Sequence, residues 1–381
     1  MRFTLLGAGK MGCACAEYLL SWDETTNLRI VERDEILLSK LESVVSDKRV
    51  EVLNTTIIDK SDIIDIVNGS DAVICALPYY LNLTITEACI DAGVSMCDMG
   101  GNNDVVMSQL AMNDRAREAG VIIVPDCGLA PGLSNVLVAK AISEFDRCDE
   151  VHIRVGGLPI DPVPPFNYQI VFSVNGLVNE YVEPCKVLRG GDVCWVEALT
   201  DIEEVRFGGD YGVLEAFNTS GGSSTLPETY QGCVREIDYK TLRYRGHCKL
   251  MQGLKYLGLG EDRVIGLSGL NSSPRRVLSA LLEHYLPKDG DDVVLVYWWA
   301  RGESGGESCE FRYKFIIEPD EDMGLSAMMV GTSLPTVLVA KFIAEGKVVD
   351  KGVLTPERAL PVDDYISAFL SESCVEIEEV Q

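Results

Sequence analysis

Three glycines near the start of the chain, Gly7, Gly9 and Gly12, fit the spacing G-x-G-x-x-G directly after the apolar run Phe3 to Leu6. That spacing suits a dinucleotide for separable reasons. Gly7 permits a tight strand-to-helix turn, Gly9 lets backbone approach a pyrophosphate, and Gly12 lets the helix pack closely on the strand. Lys10 and Met11 open the helix, whose N–H groups and positive dipole end suit the phosphates. Glu32 stands 20 residues beyond Gly12, the offset of a carboxylate that accepts both ribose hydroxyls and repels a 2′-phosphate. NAD is therefore favoured over NADP, although Arg33 follows at once and is placed to stack on adenine or pair with a phosphate. Asp59, closing Thr56-Ile57-Ile58-Asp59, is placed near the adenine.

Further polar residues stand where later apolar runs end, at Leu77-Pro78, at Asp98 and at Asp126-Cys127. In parallel sheets ligands lie beyond the carboxyl ends of the strands. Asp126 reads either as a general base at the nicotinamide or as a turn residue of the following loop. Cys127 reads mainly as a small residue lining the ring, with catalysis the secondary reading. Asp98 either holds a ribose or a water, or caps its own loop.

The elements that must position these residues alternate. Strands are expected at residues 3–6, 28–32, 50–53, 72–77, 94–98 and 121–124, with helices between them, which predicts a doubly wound parallel sheet. Beyond Asp126 the texture changes to β-rich runs at 151–155, 167–174, 193–198, 213–217, 293–299 and 311–317, interrupted by helices at 250–256 and 275–285. This predicts an inserted α+β domain on a largely antiparallel sheet. The expected division is a dinucleotide-binding domain over 1–127, a substrate-binding and oligomerisation domain over 128–322, and a helical segment over 323–381 that packs back on the first. The acidic tail from Glu376 is expected to fray.

Composition narrows the partners. The 381 residues are 47% apolar, enough for full cores, and carry a formal charge of −26 from 59 acidic and 33 basic residues. This argues against nucleic acid or an anionic membrane as a partner and is compatible with a cationic substrate. The 13 cysteines include no C-x-x-C and the three histidines are scattered, so no metal site is expected and a reducing compartment is. No apolar stretch of about 20 residues and no signal-peptide pattern is visible, from which a cytoplasmic location is expected.

Five motifs in order carry a resemblance: Gly7-Ala8-Gly9-Lys10-Met11-Gly12, Ala76-Leu77-Pro78-Tyr79-Tyr80, Gly128 to Gly132, Thr241-Leu242-Arg243-Tyr244-Arg245-Gly246-His247 and Gly352-Val353-Leu354-Thr355-Pro356-Glu357. The chain resembles the saccharopine dehydrogenase-like family over nearly its whole length. Saccharopine reductases typically show Asp-Pro-Gly where this chain has Ala130-Pro131-Gly132. The runs 172–181 and 215–226 look most like lysine 6-dehydrogenase. The resemblance implies a homo-oligomer built through the middle-domain sheet. It also implies NAD-dependent oxidation of the ε-amino carbon of L-lysine to the 6-semialdehyde, which cyclises to a piperideine carboxylate. Alternatives are a saccharopine reductase, a carboxynorspermidine dehydrogenase acting on a polyamine, or a non-enzymatic NAD-binding sensor.

Such a reaction needs a neutral amine, and an alkylammonium ordinarily holds its proton up to a pKa of about 10.4, so a base is required. Asp126 is the first candidate. His247 is placed either to exchange protons near neutral pH or to bond across domains. Arg243 offers a bidentate fork for an α-carboxylate, with an ordinary salt bridge as the alternative. Tyr244 is expected to line the same pocket. Asn175 and Asn218, each at the end of a β-rich run, are candidates for the amino-acid head group, with turn formation as the alternative.

Overall fold

The computed structural model describes residues 1–44, 46–56, 59–264, 272–372 and 375–379. The chain divides into two compact units. One gathers Met1–Lys140, Asp320–Leu325 and Met329–Ser373; the other gathers Ala141–Pro319, Ser326–Met328 and Cys374–Gln381.

The first unit is the doubly wound layer that the alternating pattern predicts. Strands β1 (Arg2–Leu6), β2 (Asn27–Glu32), β3 (Val50–Asn54), β4 (Ala72–Cys75), β5 (Met96–Asp98) and β6 (Ile122–Val124) are each followed by helix. The second unit contributes β7 (Arg147–Pro159), β8 (Cys185–Arg189), β9 (Asp192–Val196), β10 (Glu203–Gly208), β11 (Gly212–Asn218), β12 (Glu236–Tyr244), β13 (Asp292–Ser304) and β14 (Glu307–Ile317). Two late strands follow, β15 (Gly352–Val353) and β16 (Val375–Glu379).

In the first unit the sheet order is β15-β6-β5-β4-β1-β2-β3, and every pairing is parallel. The order reverses at β1, between β4 and β2, so the strand ends on either side of β1 form the crevice in which such sheets bind nucleotides. Leu6, Val31, Val73, Cys75, Met96 and Ile123 fill one face and meet Ile85, Ala88 and Cys89 of the helix Asn82–Ala92. The central strands β1, β4, β5 and β6 are buried on both faces, which is why they read as short unbroken apolar runs, whereas the edge strand β3 is only partly covered. The helix Ala327–Ala344 is the one described helix long and apolar enough to cross a membrane by length and composition, and most of it is buried within the fold.

The second unit is built on a nine-stranded mixed sheet whose main path runs β10-β11-β12-β7-β13-β14-β16. Only β12 and β7 pair in parallel; the other pairings are antiparallel. Side chains alternate along β12, so Tyr239, Thr241 and Arg243 share one face while Lys240, Leu242 and Tyr244 share the other.

Two local expectations fail. Residues 167–173 form no strand, and a helix occupies Val174–Val182. Ser173 caps it, accepting from the Gly176 N–H at 3.5 Å, and buried Val174, Leu177, Val178 and Tyr181 recur at helical spacing. Within the described residues the acidic tail is not frayed, because Val375–Glu379 adds to the sheet edge as β16 against β14, with Val375 opposite Ile317 and Glu378 opposite Lys314.

Candidate functional site

The turn between β1 and the helix Lys10–Ser21 gives each glycine its own reason. Gly7 has φ of +100°, and a Cβ there would lie 2.9 Å from the Ala76 carbonyl and 3.0 Å from Leu77 Cδ2. A Cβ on Gly12 would lie 2.0 Å from the Gly7 carbonyl oxygen, so the helix and the turn are in contact. A Cβ on Gly9 would meet nothing within 4 Å. Gly9 is also the N-cap of the helix and offers no side-chain acceptor to the first N–H groups. Open space in front of uncapped helix N–H groups is what a pyrophosphate requires, and the residues present fit that group.

Glu32, the last residue of β2, is largely buried and binds this turn. Its Oε2 accepts from the Ala8 N–H at 2.9 Å, and its Oε1 accepts from Arg33 N–H at 2.8 Å and Asp34 N–H at 3.0 Å. Arg33 is exposed and pairs with no carboxylate among the described residues, and Lys10 is exposed as well. The Met11 carbonyl accepts from Ser333 Oγ at 3.0 Å. Pro78 is exposed and begins the short turn Tyr79–Leu81. Asp59 caps the helix Lys60–Val67, accepting from Asp62 N–H at 3.1 Å and Ser61 Oγ at 2.6 Å. Its carboxylate is thus engaged by its own helix.

At the ends of β5 and β6 two acids stand together. Buried Asp98 accepts from Gly100 N–H at 2.8 Å and Gln109 Nε2 at 2.7 Å, and lies 3.4 Å from the Asp126 N–H. Burial raises its carboxyl above the usual range, against the pull of those donors. Asp126 adopts φ of +61° and is also buried, and a Cβ on Gly100 would lie 1.7 Å from its Oδ1. Glycine at 100 is what leaves room for this carboxylate. Cys127 donates its thiol to the Val124 carbonyl at 3.1 Å, and burial pushes its pKa far up. A neutral buried thiol is a poor nucleophile, which speaks against the catalytic reading of Cys127.

In the second unit β12, the helix Val174–Val182 and the helix His247–Tyr256 bring a second set of polar groups together. Arg243 is 2% exposed. Its Nε donates to the Tyr181 hydroxyl at 3.1 Å, its Nη1 donates to the Leu242 carbonyl at 2.9 Å, and its guanidinium carbon lies 4.9 Å from the centroid of the Tyr168 ring. His247 Nε2 lies 3.0 Å from the same Tyr181 hydroxyl, and its Nδ1 lies 2.9 Å from the Phe166 carbonyl. The carbonyl can only accept, so Nδ1 carries the proton and Nε2 accepts from Tyr181. Glu215, opposite Arg243 on β11, accepts from Gly246 N–H at 2.9 Å and Cys248 N–H at 2.7 Å and so anchors the helix start that carries His247.

This geometry corrects four expectations. Burial and the neighbouring Arg243 charge lower the His247 pKa to about 3, so it stays neutral and does not exchange protons near neutral pH. Tyr244 does not share the pocket of Arg243. Strand alternation turns it to the opposite face, where its hydroxyl donates to the Pro159 carbonyl at 2.9 Å beside Leu158, Leu214 and Leu242. Asn218 also faces that opposite side, opposite Lys240, donating to Thr200 Oγ1 at 3.2 Å. Asn175 is exposed in the first turn of its helix, where its Oδ1 lies 3.5 Å from Ser279 Oγ. Sequence reasoning missed Glu180, Tyr181 and Tyr168, whose only local signal was helical apolar spacing around Tyr181. Among the described residues no three His, Cys, Asp or Glu side chains gather as a metal-binding set.

Two of the resembling motifs meet in the first unit. Gly128 and Gly132 close a tight loop, since a Cβ on Gly132 would lie 2.1 Å from the Gly128 carbonyl oxygen. Asn135 accepts from Gly132 N–H at 3.2 Å and donates to Glu357 Oε2 at 3.1 Å.

Comparison with known proteins agrees with this architecture. Residues 3–124 match the saccharopine dehydrogenase NADP binding domain, and residues 128–372 match the saccharopine dehydrogenase C-terminal domain. The mitochondrial alpha-aminoadipic semialdehyde synthase of Rattus norvegicus is 22% identical over 92% of this chain and 45% of its own length. The saccharopine dehydrogenase [NADP(+), L-glutamate-forming] of Schizosaccharomyces pombe is 24% identical over 65% of this chain and 57% of its own length. The chain thus spans about half the length of these curated relatives. In fold, apo saccharopine dehydrogenase (L-Glu forming) from Saccharomyces cerevisiae superposes over 100% of both chains with a TM-score of 0.80 at 17% identity. With family models matching both its dinucleotide-binding part and the larger remainder, the chain belongs to the saccharopine dehydrogenase family.

Proposed function

We propose that this protein is an NAD-dependent dehydrogenase that oxidises the ε-amino carbon of L-lysine, giving ammonia and the 6-semialdehyde. The observation that carries the reading is Arg243, a buried guanidinium with no hydrogen-bonded carboxylate among the described residues, which suits the α-carboxylate of an amino acid. Relatives named for saccharopine and for carboxynorspermidine work on amino-acid amines, which supports the reaction class. When bound, NAD supplies the hydride acceptor. Gly9 and the first turn of its helix bind the pyrophosphate, and Glu32 binds the ribose hydroxyls. The matched family model is named for NADP, and the preference for NAD rests on the Glu32 carboxylate standing where a 2′-phosphate would be repelled. Asp126 takes the proton from the substrate ammonium, releases it to solvent, takes a second from the water that adds to the oxidised amine, and returns that one to the departing ammonia.

The test is direct. Protein given L-lysine and NAD should develop the absorbance of reduced nicotinamide. Turnover of saccharopine in place of lysine would move the substrate within the family, and turnover of neither would leave the sensor reading. Asp126→Asn, which tolerates the left-handed backbone, should abolish turnover while NAD binding persists. Arg243→Ala should raise KM for the amino acid more than for NAD.

A further inference from the structure

Arg243 is incompletely used by the protein around it. A guanidinium has five N–H donors. One reaches the Tyr181 hydroxyl and one the Leu242 carbonyl, and the remaining three meet no acceptor within hydrogen-bond range among the described residues. Glu180, the residue before Tyr181 on the same helix, comes nearest, with Oε2 at 3.8 Å from Nη2. Two opposite charges in a buried pocket would normally close into a bidentate pair, because an unclosed pair leaves desolvated donors without acceptors. Here they form only a long ion pair with no hydrogen bond between them, and the Glu180 side chain keeps 27% of its exposure while that of Arg243 keeps 3%. The arrangement is an anion receptor with a cation receptor beside it, the latter partly buried and less deeply so than the former.

We propose that Glu180 is a specificity-determining residue that binds the α-ammonium of the substrate while Arg243 binds its α-carboxylate, so that the pair selects α-amino acids over simple carboxylic acids and over polyamines. The proposal rests on the amino-acid reading above and adds to it the group that recognises the ammonium. A zwitterionic head group satisfies both charges at once. A carboxylic acid lacking the amine would lie against Glu180 unshielded, and a polyamine would lie against Arg243.

The charges facing Glu180 make the site titrate through one group. From β12 it faces Arg243 and Tyr239, from its own helix Tyr181, from the preceding segment Tyr168, and from β8 Cys185. Burial raises all three tyrosines above their usual value and raises Cys185 to about 12, while His247 beside them is lowered to about 3. Burial lifts the Glu180 carboxyl to about 7, against the attraction of Arg243. Between pH 6 and 8 the charge of this cluster therefore changes at Glu180.

The experiment compares two probes with the same five-carbon tail and no ε-amine, L-norleucine and hexanoate, by calorimetry in the presence of NAD. At pH 8 the wild type should bind L-norleucine about tenfold more tightly than hexanoate, a gap of the size one close charge pair supplies. From pH 6 to pH 8 the two affinities should move in opposite directions, L-norleucine tightening as Glu180 ionises and hexanoate weakening. Glu180→Gln, which keeps the shape of the side chain, should reduce the gap below about threefold and flatten both slopes. The opposed slopes in the wild type need no variant, so a folding defect in Glu180→Gln would not spare the idea. Equal loss of both probes in Glu180→Gln, an unchanged gap, parallel slopes, or no binding of either probe would overturn it. If lysine is not oxidised but the probe pattern holds, the reaction assignment fails and the head-group site stands. If lysine is oxidised and the pattern is absent, the site assignment fails alone.

Discussion

The hydroxyl of Tyr181 donates to Nε2 of His247 across 3.0 Å, and this bond fixes the imidazole as a buried neutral acceptor. The consequence for stability follows from linkage. Unfolded, a histidine takes up its proton near pH 6.5; folded, His247 resists until about pH 3. Below pH 6.5 the unfolded chain therefore binds one proton more than the native chain. The His247 contribution is fully present above pH 6.5 and is lost as the pH falls towards 3, at about 1.4 kcal/mol per pH unit. Denaturant unfolding of wild type and His247→Gln at pH 7 and pH 5 should show the wild-type advantage shrinking by about 1 to 2 kcal/mol. An advantage that stays constant would mean that the imidazole takes up its proton in the native state at the same pH as in the unfolded chain.

What was legible in the chain divides along the range of the interaction involved. Gly7, Gly9, Gly12 and Glu32 could be read because their constraints are local: each glycine answers to backbone a few residues away, or to space left for a phosphate. Arg243 was legible as the fork-shaped cation of the motif Thr241 to His247. Its partners were not. Glu180 looks like any solvated acid in sequence, and only the folding of its helix against β12 brings it to 3.8 Å from Nη2. Tyr244 was misplaced because adjacency in a strand means opposite faces. Asn175 was misplaced because the spacing of Val174, Leu177, Val178 and Tyr181 is helical, while the run before it is rich in residues that favour strands.

In the proposed reading cofactor choice turns on Glu32. Its carboxylate already accepts three backbone N–H bonds, so it is held in place as a fixed negative charge at the end of β2, with exposed Arg33 beside it. The wild type should bind NAD more tightly than NADP. Glu32→Gln removes the charge while keeping an acceptor for the Ala8 N–H, and should narrow the preference by about tenfold, one unit of electrostatic discrimination. Fluorescence titration with both reduced dinucleotides would measure it, and a wild type that prefers NADPH would show that Arg33, not Glu32, governs the site.

Asn135 bridges the loop Gly128–Gly132 to Glu357 through its two amide ends, and both side chains are buried. Asn135→Ala leaves the Gly132 N–H without its acceptor and the Glu357 carboxylate without this donor, and should cost about 2 to 4 kcal/mol. Asn135→Asp should cost more at neutral pH, because it replaces the donor with a second negative charge, and part of that loss should return on acidification. Thermal unfolding of the two variants at pH 7 and pH 5 separates the effects.

The glycine turn permits a cleaner separation of folding from binding. Gly9 has φ of −68°, which alanine adopts freely, and its added Cβ would meet no protein atom within 4 Å. Gly9→Ala should therefore fold with the wild-type Tm to within a few degrees, as an unstrained surface substitution does. The same methyl occupies the approach of a pyrophosphate to the helix N-terminus, so NAD affinity should fall by about tenfold or more, the loss of at least one close backbone contact. Gly12→Ala drives its Cβ to 2.0 Å from the Gly7 carbonyl and must displace the turn itself, so it should lower both Tm and NAD affinity. Paired calorimetric unfolding and NAD titration of the two variants decide it: a Gly9→Ala protein that binds NAD as the wild type does would remove the pyrophosphate from this turn.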